Sequence, residues 1–553
     1  MLSFRTFRHR YTAPVPVLRY KRRHLSSGSA SVHTSISISR SMVTATTQTP
    51  VDVWDVHAYS TLALNNTSDF KAAVNRTMDA LLIRTDHHNN DNTGGNLLVV
   101  VNNIPQGEET IQLMINKASL KDAGWKYHSR ELVQKYRSLA EEVLIECSKE
   151  YCVFLEELYA DLRNVNDILD AICLTGSAAE FGDVVMSYGE AWSARIFMMA
   201  CIKRQDISRS QHQHQHQYRD CVYYMDTREI ISTEEGFKNK QNVSYPTSDS
   251  NLRNWFTQRK IEMNAGSILI VATGKIASTL YGHVCRMDRL RDIFFWDSVA
   301  AILSTLMRAR CITIWSNVDG IYSIDEPCAD AKLVKHMSGA DARTLAFFST
   351  STSTSLSMSP QLVNGVISSM LLQNRYNTPI VVRNTRRLDC PGTRIDNSNV
   401  VSGITCLSCT RSYGVCIVHI YTRSDVQSSI VSTVCTALHE HRIQLIMICN
   451  GISGFSLSIV VKDSDAIILR SNIIIENALS GTEVEVEFET NCSIISAIGN
   501  IDDTIFDTII GTMQATSHKC KGYLRSNNNV SMVVHKDLAR ECATALHKAI
   551  VVQ

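Results

Sequence analysis

The stretch Cys311-Ile-Thr-Ile-Trp-Ser-Asn-Val-Asp-Gly-Ile-Tyr322 decides the fold class of this 553-residue chain. Its first part, Ile312 to Trp315, is apolar and bounded by polar residues, which predicts a buried strand. Asn317, Asp319 and Gly320 follow directly. Polar side chains and a glycine turn at the carboxyl end of a buried strand are typical of the nucleotide crevice of open α/β sheets. The alternative is a surface loop after an edge strand.

The overall composition is that of an ordinary globular protein, with 44% hydrophobic and 20% charged residues. The length leaves room for two to four domains of about 150 residues each. The net charge of +1 gives no global attraction to nucleic acid or to an anionic membrane. No run approaches the ~18 apolar residues of a membrane span. We therefore expect neither nucleic acid nor a membrane as a partner.

The 17 cysteines are scattered through apparent core segments, which indicates reduced thiols rather than a disulfide framework. Cys406-Leu-Ser-Cys409 is a C-x-x-C pair with no second pair to complete a zinc site. It also lies in a predicted strand, where residues three apart point to opposite faces. We interpret this pair as structural and expect no metal site.

Residues 1–48 contain no acidic residue and carry seven arginines and one lysine among abundant Ser and Thr. That composition predicts an organelle transit peptide, disordered and removed on import. Arg23-His-Leu-Ser-Ser27 is similar to a mitochondrial cleavage region, although acid-poor, Ser-rich arms also direct proteins to plastids. The alternative is a disordered basic tail.

The stretch 311–322 resembles the I-W-T-D-V-D-G-V-Y segment of aspartate kinases, which belong to the amino-acid kinase family. The resemblance implies an α/β, three-layer amino-acid kinase fold with a mostly parallel sheet over residues 49–397. The family segment lines the site of ATP, which is used with magnesium. Ser316 stands at the family's Thr and Asn317 at its Asp. The nucleotide-binding residues implied in this way are Trp315, Ser316, Asn317, Asp319, Gly320 and Tyr322.

A second segment, Met186-Ser-Tyr-Gly-Glu-Ala-Trp-Ser-Ala-Arg-Ile196, resembles the family's S-F-G-E-x-x-S-A-R-I. The family's Glu contacts the amino group of L-aspartate, so the resemblance implies that role for Glu190. Two further segments, 223–231 and 270–278, resemble the kinase half of plant bifunctional aspartate kinase–homoserine dehydrogenases. In the second of these, Lys275 replaces an aromatic residue.

Two phosphate-handling elements of the family differ in this chain. The apolar run Val51 to Leu64 predicts the first strand, and the family's Lys-Phe-Gly-Gly-Thr-Ser loop reads Asp55-Val-His-Ala-Tyr-Ser60 here. Asp55 then stands at the lysine that contacts phosphate, and His57 and Ala58 stand at the glycines. An acid at that position repels phosphate, and side chains screen the backbone amides that would bind it.

The second difference concerns the family's catalytic R-G-G-S-D element, which reads Arg289-Leu-Arg-Asp-Ile-Phe-Phe-Trp-Asp-Ser298. The resemblance implies Arg291 as the group that binds the substrate carboxylate, with Asp292 and Asp297 as catalytic carboxylates. The glycines are replaced by residues 293–295, whose bulky side chains fill the space that the phosphates need.

From Val401 a strand–helix–strand–strand pattern occurs twice and indicates an internal repeat. The two units, predicted at 398–488 and 489–553, resemble the paired ferredoxin-like ACT units of aspartate kinases. That resemblance implies an amino-acid effector, lysine or threonine, bound at Asn450 and Ser453, where the family's Gln-x-x-Ser reads Asn450-Gly-Ile-Ser453. It also implies a homodimer or heterodimer through these units, whose edge strands invite pairing. We expect no homoserine dehydrogenase half after Gln553.

Two functions remain open at this point. The first is an enzyme, a phosphotransferase with a carboxyl acceptor that uses ATP to convert L-aspartate to 4-phospho-L-aspartate at a degraded rate. The second is an inactive aspartate kinase-like pseudoenzyme that senses an amino acid or regulates an active partner. Phosphoryl transfer depends on positioning and charge stabilisation, and each lost donor costs ~10²–10³ in rate.

Overall fold

The computed structural model describes residues 53–59, 61–86, 95–144, 148–178, 181–211, 221–235, 241–259, 261, 267–287, 298–324, 330–348, 378–387, 389–396, 403–409, 414–422, 427–441, 443–450, 456–471, 473–480, 484–515 and 520–551. The chain from Asp52 onward forms one compact unit. The predicted transit segment, residues 1–48, lies outside the described residues.

Strands and helices are interspersed along the first three quarters of the chain. In chain order they are β1 (Val53–Tyr59), a 3-10 turn (Thr61–Leu64), α1 (Thr67–Asp86), β2 (Gly95–Val101), α2 (Pro105–Ser119), α3 (Trp125–Leu144), α4 (Lys149–Thr175), α5 (Gly182–Gln211), β3 (Cys221–Met225), α6 (Thr227–Ile230), β4 (Ser232–Glu235), β5 (Gln241–Val243), α7 (Tyr245–Gln258), β6 (Ile268–Thr273), β7 (Ile276–Thr279), β8 (Val284–Arg286), α8 (Ser298–Leu306), β9 (Cys311–Ser316), β10 (His336–Met337), α9 (Gly339–Phe348), β11 (Ile380–Asn384) and β12 (Thr393–Ile395).

Eight of these strands form the central sheet, in the order β10-β12-β11-β9-β1-β2-β6-β3. All neighbours in it are parallel except β11 and β12. Successive residues of β2 alternate between two cores, with Val99 in the core under α1 to α5 and Val100 in the core under α7 to α9. Because both faces are covered by helices, the layers are helix, sheet and helix, which confirms the predicted fold class.

A smaller sheet of four strands, β5-β4-β7-β8, lies beside the central one. Its strand β7 begins three residues after β6 ends, so the chain turns sharply at Gly274 and Lys275. Lys275 takes a left-handed backbone conformation there, with φ of 49°. This turn directs the Lys275 side chain into the interior.

The rest of the chain builds an antiparallel sheet covered by helices. Its elements are β13 (Ile404–Cys409), β14 (Val415–Thr422), α10 (Gln427–Glu440), β15 (Met447–Asn450), β16 (Ser456–Lys462), α11 (Asp463–Ser471), α12 (Ile474–Ala478), β17 (Val484–Gly499), α13 (Asp503–Ala515), β18 (Gly522–Arg525), β19 (Asn529–His535) and α14 (Ala539–Ile550).

The two repeats in this region share the 16-residue strand β17. The first half of β17 pairs with β14, whereas its second half pairs with β13 and β19. The predicted boundary between residues 488 and 489 therefore falls inside one strand. In addition, β13 lies within the predicted first unit, 398–488, but pairs with the half of β17 that belongs to the second.

The C-x-x-C pair is structural, as the strand pattern predicts. Cys406 packs into the core beneath α7 to α9, and Cys409 packs into a separate core under α14. Both cysteines are buried, on opposite faces of β13.

Candidate functional site

The carboxyl ends of the central strands meet at one edge of the sheet. The register aligns Tyr59 with Val101 and Trp315, and Val101 with Thr273. The segments that follow these strands therefore lie side by side. Ligands bind outside the carboxyl ends of the strands in open α/β sheets, so this edge is the candidate site.

Glu190 reaches this edge from the middle of α5. It is 4% exposed, and its Oε2 accepts a hydrogen bond of 2.8 Å from the backbone N–H of Asn103, just after β2. Gly189 lets the helix approach so closely, since a Cβ there would lie 2.2 Å from the Asn103 Nδ2. Tyr136 also donates to the Gly189 carbonyl at 3.2 Å. The resemblance thus singled out a carboxylate that the fold holds at the candidate site.

Three further charged groups surround Glu190. Glu108 lies in the first turn of α2, Lys275 in the turn after β6 and Arg286 at the end of β8. Lys275 Nζ is 2.7 Å from Glu108 Oε2, and Arg286 Nη2 is 2.9 Å from Glu108 Oε1. The Arg286 backbone N–H donates to Asp183 at 3.1 Å. We call Glu108, Glu190, Lys275 and Arg286 the charge cluster.

Burial and mutual attraction set the protonation of the charge cluster. Burial raises the pKa of Glu190 to about 8, although Lys275 opposes the rise. Burial would also raise the pKa of Glu108, but Lys275 and Arg286 outweigh it and lower that pKa to about 2. Burial lowers the pKa of Lys275, yet Glu108 and Glu190 raise it overall. Near pH 7 the ion pairs of Glu108 are therefore charged, whereas Glu190 is largely protonated.

The sequence motifs did not reveal Glu108 or Arg286. The two residues are 178 positions apart, and no short motif contains both. Lys275 was noticed as a replacement for an aromatic residue, but its partner depends on how the strands assemble.

The loop after β9 is held by a network centred on Asp319. One carboxylate oxygen accepts from Asn384 Nδ2 at 2.7 Å, and the other accepts from Arg387 Nη1 at 2.6 Å and from the Tyr322 hydroxyl at 3.2 Å. Gly320 has φ of 147°, and a Cβ there would lie 2.6 Å from Thr393 Oγ1. The predicted nucleotide loop is thus a fixed turn in which glycine is required.

The predicted residues at the start of this loop lie deeper. Ser316 is buried, and its carbonyl accepts from the Thr385 backbone N–H at 2.7 Å. Its hydroxyl lies 3.4 Å from Asn317 Oδ1. The ring of Trp315 is 5% exposed and stacks on Tyr59 at 6.2 Å between centroids. The structure therefore places Trp315 in the core behind the loop.

The expectation that Asp55 stands at the phosphate-contacting lysine is wrong. Asp55 lies inside β1, beside Cys311, the first residue of β9. It is four residues before the end of β1, or roughly 13 Å from the carboxyl edge. Arg310 binds it through two hydrogen bonds of 2.6 and 3.2 Å. The strand continues through His57 and Ala58 to Tyr59, so the segment that follows it in sequence at the carboxyl edge is 60–66 instead, with a 3-10 turn at Thr61–Leu64.

That segment also lacks the family's lysine and glycines, since the sequence reads Ser60-Thr-Leu-Ala-Leu-Asn-Asn66. Asn66 Oδ1 accepts from the Asp69 backbone N–H at 2.9 Å and caps the start of α1. The prediction of a degraded phosphate loop then concerns residues 60–66 rather than Asp55, His57 and Ala58.

The remaining predicted site residues cannot be placed. Arg291, Asp292 and Asp297, together with residues 293–295, lie outside the described residues. Asn450 ends β15, but its side chain is not described, and residue 453 lies outside the described ranges. Over the described part of the chain, no three His, Cys, Asp or Glu side chains are grouped to hold a metal ion. No helix there has the length and hydropathy to cross a membrane.

Known proteins resemble this chain over most of its length. The bifunctional aspartokinase/homoserine dehydrogenase 1, chloroplastic, of Arabidopsis thaliana is 25% identical over 518 residues, which cover 90% of this chain and 51% of that protein. The corresponding protein 2 of Zea mays is 24% identical, with coverage of 90% and 50%. The chain thus spans about half the length of the curated relatives it matches.

Solved structures show the same fold. Escherichia coli aspartokinase III in complex with aspartate and ADP gives a TM-score of 0.65 at 17% identity, covering 91% of this chain and all of that one. Clostridium acetobutylicum aspartate kinase gives 0.63 at 14% identity, covering 90% and 99%. The model of the amino acid kinase family matches residues 83–384, more than half of the sequence. On this evidence the chain belongs to the amino acid kinase family.

Proposed function

We propose that this chain binds L-aspartate and ATP at the carboxyl edge of the central sheet and forms 4-phospho-L-aspartate slowly. The observation that carries the proposal is Glu190, a buried carboxylate fixed by Asn103 at that edge and surrounded by Lys275 and Arg286. A carboxylate beside two cations suits a zwitterionic amino acid, which offers an ammonium and a carboxylate.

In this proposal Glu190 binds the ammonium of aspartate, as the family resemblance implies. The nearby ammonium favours the charged form of Glu190, so aspartate binding releases a proton from it. The Asp319 loop, with Asn317 and Tyr322, holds the nucleotide. Both oxygens of Asp319 accept hydrogen bonds from neighbouring side chains, and we assign no step to the metal.

Slow turnover follows from the turn after β1. Ser60 to Asn66 offers no lysine to neutralise phosphate and no glycine to bring backbone amides close to it. Losing such a donor typically costs ~10²–10³ in rate. We therefore expect turnover well below the ~1–100 per second usual for kinases.

The test is a coupled assay of the purified chain with ATP, magnesium and L-aspartate, together with calorimetric binding of each substrate. Glu190→Gln keeps the shape and the hydrogen bond to Asn103 but removes the charge, so it should weaken aspartate binding and leave ATP binding unchanged. Glu109→Gln, a change at an exposed carboxylate nearby, serves as the control. No aspartate binding by the unmodified chain, or equal binding by Glu190→Gln, contradicts the proposal.

A second candidate is a regulatory pseudoenzyme, and one set of contacts favours it. The segment after the nucleotide loop is bound to the C-terminal sheet. The Leu407 backbone N–H donates to the Ser323 carbonyl at 2.8 Å, and the Ser323 hydroxyl contacts His547 Nε2 of α14 at 2.8 Å. A change in the repeats would therefore reach the nucleotide loop directly.

In this candidate function, lysine or threonine binds near Asn450 and Ser453, and the repeats pair two chains. Mixing the protein with an active aspartate kinase, with and without each amino acid, tests it. Sedimentation should show a dimer or a mixed dimer, and the partner's rate should change. A monomer that leaves that rate unaltered contradicts this candidate.

For localisation, we propose import into an organelle, a mitochondrion or a plastid, through residues 1–48. The support is the arginine-rich, acid-free composition, and several relatives are named as chloroplastic proteins. A fusion of residues 1–48 to a fluorescent protein should enter one organelle, and a cytosolic fusion contradicts the proposal.

A further inference from the structure

The inference concerns Glu108, whose carboxylate already occupies the cations of the charge cluster. One oxygen binds Lys275 at 2.7 Å and the other binds Arg286 at 2.9 Å. A free carboxylate ligand would use the same two cations, one oxygen to each. Arginine and lysine side chains are the usual protein groups that bind carboxylates, through charge-assisted hydrogen bonds.

The exposures of the three side chains differ. The Lys275 side chain is 2% exposed and the Arg286 side chain 9%, whereas the Glu108 side chain is 20% exposed. Glu108 and Arg286 also line a cleft of about 510 Å³ between α2 and α5, together with Gln112, Asn116 and Met186. The two cations are therefore fixed in the interior, while Glu108 stands at the wall through which a ligand would enter.

We infer that Glu108 acts as a tethered carboxylate that competes with carboxylate ligands for Lys275 and Arg286. The inference rests on the proposed function insofar as the ligand is a small amino acid such as aspartate. Binding requires Glu108 to leave the cation pair and turn into the cleft. The chain is consequently held in a state of low affinity for carboxylates until Glu108 is displaced.

Removing the Glu108 charge should open this site. Suppose that Glu108 has turned away from the two cations in about 10% of the molecules or fewer. Removing its charge then raises the affinity for a carboxylate ligand about tenfold or more. Succinate is the informative probe, because it has two carboxylates and no ammonium and so does not require Glu190. Calorimetry should show about tenfold tighter succinate binding by Glu108→Gln than by the unmodified chain.

The matched control is Glu109→Gln, which removes an exposed carboxylate that lines the same cleft. It should bind succinate as the unmodified chain does. The double variant Glu108→Gln/Lys275→Met should lose the gain, because one of the two cations is then missing. Added succinate should also raise the melting temperature of Glu108→Gln more than that of the unmodified chain, since it restores the missing anion.

Glu108→Gln removes the negative charge that two buried cations contact, so the variant can fail to fold, which circular dichroism would reveal. In that case Glu108→Asp tests the inference. It keeps the charge but shortens the reach to both cations, so its affinity for succinate should rise by less than that expected for Glu108→Gln. A folded Glu108→Gln or Glu108→Asp that binds succinate no tighter than the unmodified chain overturns the inference. Tighter succinate binding without any aspartate turnover upholds it and refutes only the kinase function. Aspartate turnover by the unmodified chain, with no tighter succinate binding in either variant, supports the kinase function and refutes the inference about Glu108.

Discussion

The titration of Glu190 should make the protein less stable as the pH rises, which is the opposite of the usual effect of a carboxylate in an ion pair. Burial raises the pKa of Glu190 from an ordinary 4.5 to about 8, so between these values the folded chain holds a proton that the unfolded chain has lost. Stability falls with rising pH wherever the folded state binds more protons. Each pH unit in that window corresponds to about 1.4 kcal/mol.

Glu190→Gln removes this dependence while it preserves the size of the side chain. From pH 5 to pH 8 the unmodified chain should lose about 4 kcal/mol of unfolding free energy relative to Glu190→Gln, an upper limit because the neighbouring charges titrate with it. Above pH 8 the difference should level off. The contribution of Glu108 itself falls at acid pH, because its pKa of about 2 lies below the ordinary value and the stability it adds is lost as pH falls.

Urea unfolding of both proteins at pH 5, 6, 7 and 8, followed by tryptophan fluorescence, measures the difference directly. Glu109→Gln, at an exposed neighbouring position, should follow the unmodified chain at every pH. The reasoning is refuted if the two proteins differ in unfolding free energy by the same amount at every pH. It is also refuted if the unmodified chain becomes more stable relative to Glu190→Gln as the pH rises. Either result would mean that Glu190 is ionised in the folded protein and paired more strongly than its contacts indicate.

Three other changes have clear expected outcomes. Gly320→Ala places a Cβ 2.6 Å from Thr393 Oγ1 in a backbone conformation that side chains disfavour, so it should cost about 1–3 kcal/mol of stability and weaken ATP binding, as measured by urea unfolding and calorimetry. Arg310→Ala removes the ion pair between Arg310 and the buried Asp55 and should cost about 1–3 kcal/mol of stability. ATP binding should not change, since the pair is remote from the carboxyl edge, and weaker ATP binding would contradict that placement. His547→Ala removes the buried hydrogen bond to Ser323 and should cost about 1–3 kcal/mol of stability. It should also speed hydrogen exchange in the 319–324 loop, and unchanged exchange would show that α14 does not support the loop.

The fold could be predicted because its signals are local. Apolar runs such as 97–101 form buried parallel strands, and the stretch at 311–322 combines a strand, a turn glycine and a recognisable motif. Glu190 could be predicted for the same reason, since ten neighbouring residues carry the resemblance. The motif and the helix that presents it are the same piece of chain.

The errors and omissions arise where position depends on distant parts of the chain. Asp55 was misaligned because the end of a strand cannot be read from an apolar run that continues past it, and β1 ends at Tyr59 rather than before His57. Glu108 and Arg286 were missed because the sheet brings them together across 178 positions. The pairing of β13 with β17 was missed because sequence order suggested that β13 belongs to the first repeat.

The shared strand β17 prevents the two repeats from being separated, either by truncation or by recombination between genes. Because β13 pairs with the second half of β17, the first repeat is inserted within the second in sequence. A truncation between the repeats would cut a continuous strand and leave two ragged edges, so neither repeat could be expressed alone as a folded module. Genetic exchange of a single repeat meets the same obstacle, and only the pair, with β13 included, can be transferred as a unit.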